Sequence, residues 1–231
     1  MTHHRVAIIT GASRGLGLAL ARRLAHDGYR LVIDARGVDD LEQTRAELAQ
    51  VTTVIAIPGD VSDPDHRRRL LDAAAGQLDL LVNNASVLGP IPQPRPADYP
   101  LDTLETVYRT NVIAPLGLIQ LALPLLRRAQ GVVINLTSDA ALEAYEGWGG
   151  YGSSKAALEQ VSRILAAEES QVRVYWVDPG DMNTRMHQEA YPGEDITDRP
   201  LPEASVPGLI ELIQRNRPSG RYAARDLVRT V

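Results

Sequence analysis

A tyrosine and a lysine four residues apart are the side chains in this sequence best suited to do chemistry. Lys155 ends the segment YGSSK that begins at Tyr151, and Ser138 lies shortly before it. If Tyr151 and Lys155 lie on one helix, this spacing puts them on the same face. A free tyrosine has a pKa of about 10, and a nearby ammonium group lowers it by stabilising the phenolate. The pattern therefore predicts that Tyr151 acts as an acid and a base near neutral pH.

A glycine-rich turn near the start of the chain is a second candidate site. Thr10 to Gly17 reads TGASRGLG and lies between a predicted strand and a predicted helix. Glycines let the backbone approach a pyrophosphate, and a helix N-terminus offers free N–H groups and a positive dipole end. The spacing is G-x-x-x-G-x-G rather than G-x-G-x-x-G. Alone it allows two interpretations, a dinucleotide site or a plain tight turn.

The end of the second predicted strand bears on which dinucleotide would bind. In such folds this strand ends beside the adenosine ribose, where an acidic residue favours NAD and a basic one favours NADP. Here it reads Asp34-Ala35-Arg36. Arg36 and Arg14 would clamp a 2′-phosphate through charge-assisted hydrogen bonds, which predicts NADP(H). In the alternative, Asp34 accepts the ribose hydroxyls and Arg36 is a surface residue, which predicts NAD(H).

The elements that must position these residues alternate along the chain. Short β-branched runs, several of them apolar on both faces, predict buried parallel strands. The predicted strands are Arg5 to Thr10, Leu31 to Asp34, Thr53 to Ile57, Leu78 to Val82, Val132 to Thr137 and Val172 to Val177. The predicted helices are Leu16 to His26, Asp39 to Gln50, Pro64 to Gly76, Leu101 to Arg128 and Gly152 to Glu169. We expect an α/β, doubly wound fold with a central, mostly parallel sheet flanked by helices, in a single domain of residues 1–231.

Two segments interrupt this alternation. Gly89 to Pro100 contains five prolines, which excludes the interior of a helix or sheet and predicts a surface loop. Arg185 to Pro207 mixes glycine, proline and acidic residues and is predicted to be a long irregular excursion. Such excursions from a compact domain are usually functional.

The composition excludes several classes of function. The 231 residues are 44% hydrophobic and 23% charged, which is typical of a globular domain rather than a disordered chain. The net charge of −5 argues against a nucleic-acid partner. The sequence has no cysteine, which excludes a thiolate nucleophile and cysteine-based zinc sites. No histidine pair has metal-ligand spacing, so no catalytic metal is predicted.

Neither a membrane span nor an export signal is predicted. The longest apolar run, Val112 to Leu126, contains Pro115, Gln120 and Pro124 and falls short of the ~20 residues that a span needs. The apolar run that follows Arg5 is too short for a signal peptide. We therefore expect a cytoplasmic protein that has no membrane partner.

Together the motifs resemble those of the short-chain dehydrogenase/reductase (SDR) family, classical type, over about residues 5 to 184. The order of several separate motifs makes the resemblance specific. The glycine turn is similar to the family's TGxxxGxG, and YGSSK to its YxxxK. Ser86 stands where the family usually has a glycine. The other matching positions are Asp60-Val61, Asn83-Asn84-Ala85-Ser86, Asn111, Ser138, Pro179-Gly180 and Thr184.

The resemblance implies a Rossmann fold and an oxidoreductase that transfers hydride between NADP(H) and a small carbonyl or secondary alcohol. It implies that Tyr151 exchanges the proton, that Ser138 binds the substrate oxygen, and that Lys155 lowers the pKa of Tyr151 and binds the nicotinamide ribose. Asn111 would hold a water that links Lys155 to solvent. The implied cofactor-binding residues are Gly11, Ser13, Arg14, Gly15, Leu16, Gly17, Arg36, Asp60, Val61, Asn84, Ala85, Tyr151, Lys155, Pro179, Gly180 and Thr184.

By the same resemblance, a lid of residues 185–207 and the segments after Ser138 and Asn84 enclose the substrate. Asp139 follows Ser138, and Asp181 follows Pro179-Gly180, so these two carboxylates either border the site or are solvated surface groups. This mixture of aromatic and acidic residues favours a polar or cyclic substrate over a long acyl chain. The candidate lining residues are Leu142, Glu143, Tyr145, Trp148, Met182, His187 and Tyr191.

Two other functions remain open on the sequence. A sensor or scaffold would bind NADP(H) without turnover, but it would have no need of Tyr151 and Lys155. A reductase of a carrier-bound 3-ketoacyl substrate would need a basic docking surface, whereas residues 185–207 are richer in acids. The resemblance also implies a homodimer or homotetramer formed through the two longest predicted helices.

Overall fold

Strands and helices alternate along the chain, as the sequence predicts. The structure is a computed structural model that describes residues 4–227, so both ends of the predicted 1–231 domain lie outside it. Within this range the strands form one parallel sheet in the order β3-β2-β1-β4-β5-β6-β7. This confirms the doubly wound α/β fold. The strands are β1 Val6–Ile9, β2 Arg30–Ala35, β3 Val54–Pro58, β4 Leu80–Asn83, β5 Val132–Leu136, β6 Arg173–Asp178 and β7 Gly220–Ala223.

The helices cover both faces of this sheet. They are α1 Gly15–His26, α2 Val38–Leu48, α3 Pro64–Ala73, α4 Leu101–Tyr108, α5 Ala114–Ala129, α6 Gly149–Glu168, α7 Arg185–Ala190, α8 Val206–Gln214 and α9 Ala224–Leu227. Alternate residues of β1 enter opposite layers, Ala7 and Ile9 on one side, Val6 and Ile8 on the other. All four are fully buried, because a strand covered on both faces needs apolar residues at every position.

The sheet changes direction of winding between β1 and β4, and this is where a crevice opens at the carboxyl ends of the strands. The loops after these two strands are joined directly. The Thr10 hydroxyl accepts hydrogen bonds from the backbone N–H groups of Asn84 and Ala85, both at 3.0 Å. The Asn84 amide donates to the carbonyls of Thr10 and Gly11 at 2.8 and 3.0 Å. These hydrogen bonds hold together the two loops at the base of the crevice.

The predicted helix from Leu101 to Arg128 is divided by a π turn at Arg109–Ile113. In a regular α-helix the carbonyl of Asn111 would accept the N–H of residue 115, but that residue is a proline. The π turn re-pairs the backbone, with the N–H of Ala114 donating to the carbonyl of Arg109. Proline at this position thus explains the interruption.

This same stretch, Leu101–Ala129, is long and apolar enough to cross a membrane by length and composition alone, with a mean hydropathy of 1.4 in an 18-residue window. Its inner side packs on the sheet, where Leu118, Ile119, Ala122 and Leu126 are at most 1% exposed. These contacts are those of a core helix.

The segment predicted to be irregular from Arg185 to Pro207 contains more helix than expected. Residues Arg185–Ala190 form α7, Pro202–Ala204 form a 3-10 turn, and α8 begins at Val206. The Thr184 hydroxyl caps α7 by accepting the N–H of His187 at 3.2 Å. Arg185 and Glu189 form an ion pair one turn apart. These local contacts outweigh the turn-forming composition of the surrounding residues.

Candidate active site

A cavity of about 1240 Å³ occupies the crevice at the carboxyl ends of the strands. Its wall runs from the glycine turn and the end of β2, past the loop after β4, to the start of α6 and to α7. Most of the residues singled out in the sequence contribute to it. They are Gly11, Ser13, Arg14, Gly15, Leu16, Arg36, Asp60, Val61, Asn84, Ala85, Ser138, Tyr151, Lys155, Pro179, Gly180 and Thr184.

The glycine turn presents bare backbone to the cavity. Gly11 and Gly15 have positive φ angles of 65° and 57°, which only glycine adopts readily. A Cβ at Gly11 would lie 3.0 Å from the Cα of Ala85. Arg14, the N-cap of α1, makes no side-chain cap, and the first turn has no acidic residue. The free N–H groups and dipole of this helix end fit a phosphate of a dinucleotide.

A buried contact between Asp34 and His66 behind the glycine turn was not predicted from the sequence. The Asp34 carboxylate accepts the Gly11 N–H at 2.7 Å through Oδ1, and its Oδ2 lies 2.9 Å from Nε2 of His66. The side chains of Asp34 and His66 are 2% and 0% exposed. Burial raises the pKa of Asp34, and its hydrogen bond to His66 opposes that rise. Both carboxylate oxygens are therefore already engaged inside the protein.

Two arginines on the same part of the wall are free of such pairing. Within residues 4–227, neither Arg14 nor Arg36 has a carboxylate partner within ion-pair distance. Arg22, also on this wall, is by contrast held by Glu47 at 2.6 Å. Arg14 and Arg36 thus leave two guanidinium groups available to an anionic ligand.

Tyr151 and Lys155 lie on α6 at the other end of the cavity and are 8% and 3% exposed. The Lys155 Nζ lies 5.4 Å from the centre of the Tyr151 ring and donates to the Leu136 carbonyl at 2.8 Å. Burial lowers the pKa of Lys155 to about 8. Lys155 is also the only lysine in the sequence. A cation that exchanges its proton near pH 8 therefore lies beside Tyr151.

The pKa of Tyr151 is raised, whereas the sequence predicted a lowered value. Burial is the main cause, and the nearby Asp178 carboxylate adds to it. The hydroxyls of Ser138 and Ser86 act in the opposite direction. Burial outweighs the effect expected from Lys155, so the phenol of this structure holds its proton firmly at neutral pH.

Ser138 follows β5 and caps the 3-10 turn Asp139–Ala141. Its hydroxyl donates to Asp139 at 2.9 Å and accepts the N–H of Ala140 at 3.2 Å. The other carboxylate oxygen of Asp139 accepts the Tyr145 hydroxyl at 2.9 Å. These contacts set the position of the serine on the cavity wall.

A second charged network, also missed in the sequence, lies behind Ser138. Arg221 in β7 donates to Glu159 of α6 at 2.9 Å and to the Ser138 carbonyl at 3.3 Å. Glu159, 3% exposed, also accepts the Thr137 hydroxyl at 2.8 Å. Asp178 lies 3.6 Å from Arg221. The last strand of the sheet is thereby linked to the residue predicted to bind substrate oxygen.

Asn111 lies away from the cavity wall, in the π turn, and is 1% exposed. Its amide donates to the Val87 carbonyl at 2.9 Å and to the Ser154 hydroxyl at 3.0 Å. Its oxygen accepts the Ser86 hydroxyl at 3.1 Å and the Val87 N–H at 2.9 Å. Both amide hydrogens and both lone pairs are used, so the side chain ties the loop after β4 to α6. A water held by this residue would have to bind its backbone carbonyl, which faces Pro115 in place of a helical N–H donor.

Gly17 also lies off the cavity wall, although the resemblance implies that it binds cofactor. A Cβ at this position would lie 2.5 Å from the Gly11 carbonyl oxygen and 2.6 Å from the Asn84 amide nitrogen. Glycine is required there for close packing of α1 on the two loops.

The predicted substrate side is partly formed as expected. Tyr145, Trp148, Met182, His187 and Tyr191 line the cavity, and so do Asp139 and Asp181. Leu142 and Glu143 do not, because they follow the 3-10 turn and point to solvent, Leu142 being 62% exposed. The sequence did not single out Met186 and Glu189, which α7 brings to the wall.

Comparisons with known proteins agree with this architecture. The sequence profile of the short chain dehydrogenase family matches residues 5–195. A rhamnolipid-biosynthesis 3-oxoacyl-[acyl-carrier-protein] reductase of Pseudomonas aeruginosa is 38% identical over 193 residues, which are 79% of this chain and 74% of that protein. A serine 3-dehydrogenase of Agrobacterium fabrum is 37% identical over 77% of this chain and 72% of its own length.

Among solved structures, an alcohol dehydrogenase from the archaeon Thermococcus sibiricus, complexed with 5-hydroxy-NADP, superposes with a TM-score of 0.86. It is 28% identical in sequence and the match covers 96% of each chain.

Proposed function

The chain belongs to the short-chain dehydrogenase/reductase family, and on that basis we propose that it is an NADP(H)-dependent carbonyl reductase or alcohol dehydrogenase of small substrates. One observation carries the proposal. Tyr151, Lys155 and Ser138 share a single cavity with the glycine turn, so a dinucleotide bound on that turn would extend toward the tyrosine.

The residues on the cofactor side fit NADP(H). The N-terminus of α1 would bind the pyrophosphate, and Arg14 and Arg36 would bind the 2′-phosphate. Two observations support NADP(H) over NAD(H): both guanidinium groups lack an ion-pair partner among the described residues, and Asp34 is occupied by Gly11 and His66. The solved complex of the T. sibiricus enzyme agrees with this choice. When bound, NADPH supplies the hydride for the carbonyl carbon.

The protein's own residues would handle the proton and the oxygen. Tyr151 donates its proton to the carbonyl oxygen during reduction, and its raised pKa keeps that proton available at neutral pH. The Ser138 hydroxyl lies beside it and would turn its proton from Asp139 to the substrate oxygen, where it stabilises the negative charge that develops. Lys155, with a pKa of about 8, supports Tyr151 electrostatically as the phenol gives up its proton.

Replacement of Tyr151 by phenylalanine tests the proposal. We expect Tyr151→Phe to keep its affinity for NADPH, measured by fluorescence titration, and to lose about 10²–10⁴-fold in turnover. Tyr108→Phe, on α4 and off the cavity wall, is the matched control and should keep full activity. Unchanged turnover in Tyr151→Phe would contradict the acid–base role. Tight NADPH binding by the unmodified protein without turnover of ketones, aldehydes or quinones would instead favour a sensor.

The activity named for the P. aeruginosa relative, reduction of a carrier-bound 3-oxoacyl group, has less support here. An acidic carrier needs free cations at the mouth of the cavity. Arg185 is paired with Glu189 and Arg199 with Asp198, each at 2.7 Å. Both arginines of the lid therefore already have carboxylate partners.

Assembly into a homodimer or homotetramer is also part of the proposal. Ile113 and Ile164, on the two helical stretches predicted to pair, are 54% and 47% exposed in the single chain. Burying such residues against a second copy would be favourable. Light scattering that gives the mass of a monomer at micromolar concentration would contradict this.

A further inference from the structure

Aromatic side chains are concentrated at the Tyr151 end of the cavity. The sequence contains two tryptophans, eight tyrosines and no phenylalanine. Trp148 is in contact with three of the tyrosines, its ring centre lying 6.3 Å from that of Tyr145, 5.7 Å from Tyr151 and 5.8 Å from Tyr191. His187 lies 4.9 Å from Tyr191. All five rings line the cavity.

Trp148 lies next to Tyr151, so the aromatic cluster would contact the substituent of a carbonyl substrate bound there. Trp148 packs on Tyr151 together with Leu88, Ala140 and Met186. A carbonyl whose oxygen reaches Tyr151 would therefore place its substituent beside an indole ring and an apolar wall. Aromatic groups gain offset or edge-to-face contacts on such a surface, in addition to the burial of apolar area that any alkyl group gains.

The charges at this end of the cavity are predominantly negative. Asp139 and Asp181 both line it, and the Asp181 side chain is 63% exposed. The cations nearby already have partners: Arg185 pairs with Glu189, Arg199 lies 2.7 Å from Asp198 and 4.0 Å from Asp181, and Lys155 donates to a backbone carbonyl. Nδ1 of His187 lies 3.8 Å from Asp181. A carboxylate or phosphate on the substrate would thus meet repulsion without an ion-pair partner among these residues.

We infer that the preferred substrate is an aromatic ketone or aldehyde without a negative charge, with its ring against Trp148. This inference rests on the proposed function and specifies the substrate class of that site. The aromatic preference depends on the Trp148 cluster, and the exclusion of anions depends on Asp139 and Asp181. The two parts can therefore be tested separately.

A matched series of methyl ketones tests the substrate class, with NADPH consumption as the readout. Acetophenone should exceed cyclohexyl methyl ketone at least tenfold in kcat/KM, although the cyclohexyl compound is the more reactive carbonyl. 4-Acetylbenzoate should fall at least tenfold below its neutral methyl ester. Equal or reversed order in the first pair overturns the aromatic preference, and equal or reversed order in the second pair overturns the charge preference.

Two variants show whether the named residues are the cause. Trp148→Leu should lower kcat/KM about tenfold for acetophenone and less than about twofold for cyclohexyl methyl ketone. A loss that is equal for both ketones would indicate a disturbed Tyr151 and overturn the assignment to Trp148. Asp181→Asn should raise the ratio of kcat/KM for 4-acetylbenzoate to kcat/KM for the methyl ester, and an unchanged ratio would overturn the role of Asp181.

Failure of the inference is distinguishable from failure of the proposed function. Turnover of every ketone without preference overturns the inference alone. Absence of NADPH consumption with every ketone overturns the proposed function and the inference with it.

Discussion

The two walls of the cavity are held in place by charged networks of different construction. Behind the glycine turn, Asp34 and His66 form a single pair that is almost completely shielded from water. Behind Ser138, Arg221 connects Glu159 to the Ser138 carbonyl and is itself 26% exposed. In the first network Asp34 has one side-chain partner besides the Gly11 N–H, and almost no access to solvent. The second has several partners and partial access to water.

This difference predicts different consequences when each network is broken. A buried charge that loses its only partner is strongly destabilising, because no water can replace that partner. A partly exposed charge loses less, since solvent and remaining partners compensate. We therefore expect the Asp34–His66 pair to determine stability and the Arg221 network to determine the position of Ser138.

Removal of His66 should have the largest effect. His66→Ala leaves the Asp34 carboxylate buried without its side-chain partner, and we expect the free energy of unfolding to fall by about 3 kcal/mol. Urea denaturation of the purified protein measures this. His66→Gln, whose amide can still donate to Asp34, should lose much less.

A double variant checks the cause of that loss. Asp34→Asn in the His66→Ala background removes the buried charge as well, and most of the lost stability should return. If the double variant is as unstable as His66→Ala, the loss comes from the cavity left by the imidazole and not from the charge.

Removal of Arg36 should have the next largest effect. Arg36 lies on the same wall as the Asp34–His66 pair, but its removal should weaken NADPH binding without changing the stability of the protein. Loss of a charge-assisted hydrogen bond to the 2′-phosphate should weaken NADPH binding about 10–100-fold in Arg36→Ala and leave NADH binding unchanged. Stability should change little. Arg45→Ala, which removes a surface arginine paired with Glu42, serves as the control. Equal losses for NADPH and NADH would refute the 2′-phosphate contact.

Substitution of Arg221 should have a smaller effect and on a different quantity. Arg221→Met removes the donor to the Ser138 carbonyl, so we expect kcat to fall about tenfold, equivalent to about 1.4 kcal/mol. Glu159 loses its cationic partner and keeps the Thr137 hydroxyl, so the unfolding midpoint should fall as well, but by less than in His66→Ala because water can reach the position that the arginine vacates. The Kd for NADPH should change little. Arg221→Lys should recover part of the loss. A drop in stability as large as that of His66→Ala would remove the distinction between the two walls.

The smallest effect expected is a dependence on pH that arises between the two walls, at Lys155. Because the pKa of this buried ammonium is about 8, carbonyl reduction should decline about twofold as the pH rises from neutrality to 8, and further above it. A pH profile of kcat/KM measures this decline. The decline should coincide with titration of the single lysine side chain, observed by NMR after isotopic labelling of lysine.

Lys155 should also affect stability. As the pH rises, its contribution to the free energy of unfolding should increase, whereas the rate of carbonyl reduction should decrease. The unfolded chain binds the lysine proton up to a pKa of about 10.4, whereas the folded protein releases it near 8. Between these values the unfolded state binds more protons, so this group makes the free energy of unfolding rise with pH. Comparison with Lys155→Met, which lacks the group, isolates this contribution in pH-dependent urea denaturation.

The two walls also differ in how well the sequence predicts them. The glycine turn and the Tyr151–Lys155 pair depend on the spacing of a few consecutive residues, so their local form follows from the motif. The charged networks do not, since His66 is 32 positions from Asp34 and Arg221 is 62 from Glu159. Only the order of strands in the sheet brings those residues together. The raised pKa of Tyr151 was missed for a related reason, because burial depends on packing from several elements.

On the substrate side of the cavity, too, the sequence predicted the residue types but not the contacts between distant elements. The aromatic residues near the cavity were identified, but α7 was not predicted, because the glycines and prolines later in the segment outweighed the capping residue type at Thr184. Asn111 was recognised as important, yet its contacts reach Val87 and Ser154, which no local pattern indicates.

The π turn at Arg109–Ile113 also bears on how the length of this protein can change. An α-helix rotates by about 100° per residue, and a π turn contains about one residue more than an α-helical turn. Deleting one residue from this turn would therefore convert it toward an α-helical turn and keep α4 and α5 nearly in phase. A deletion inside α5 would instead rotate α4, with Val107 that is now 1% exposed, by about 100° relative to the rest of α5. We therefore expect a single-residue deletion to be tolerated better in this turn than inside α5.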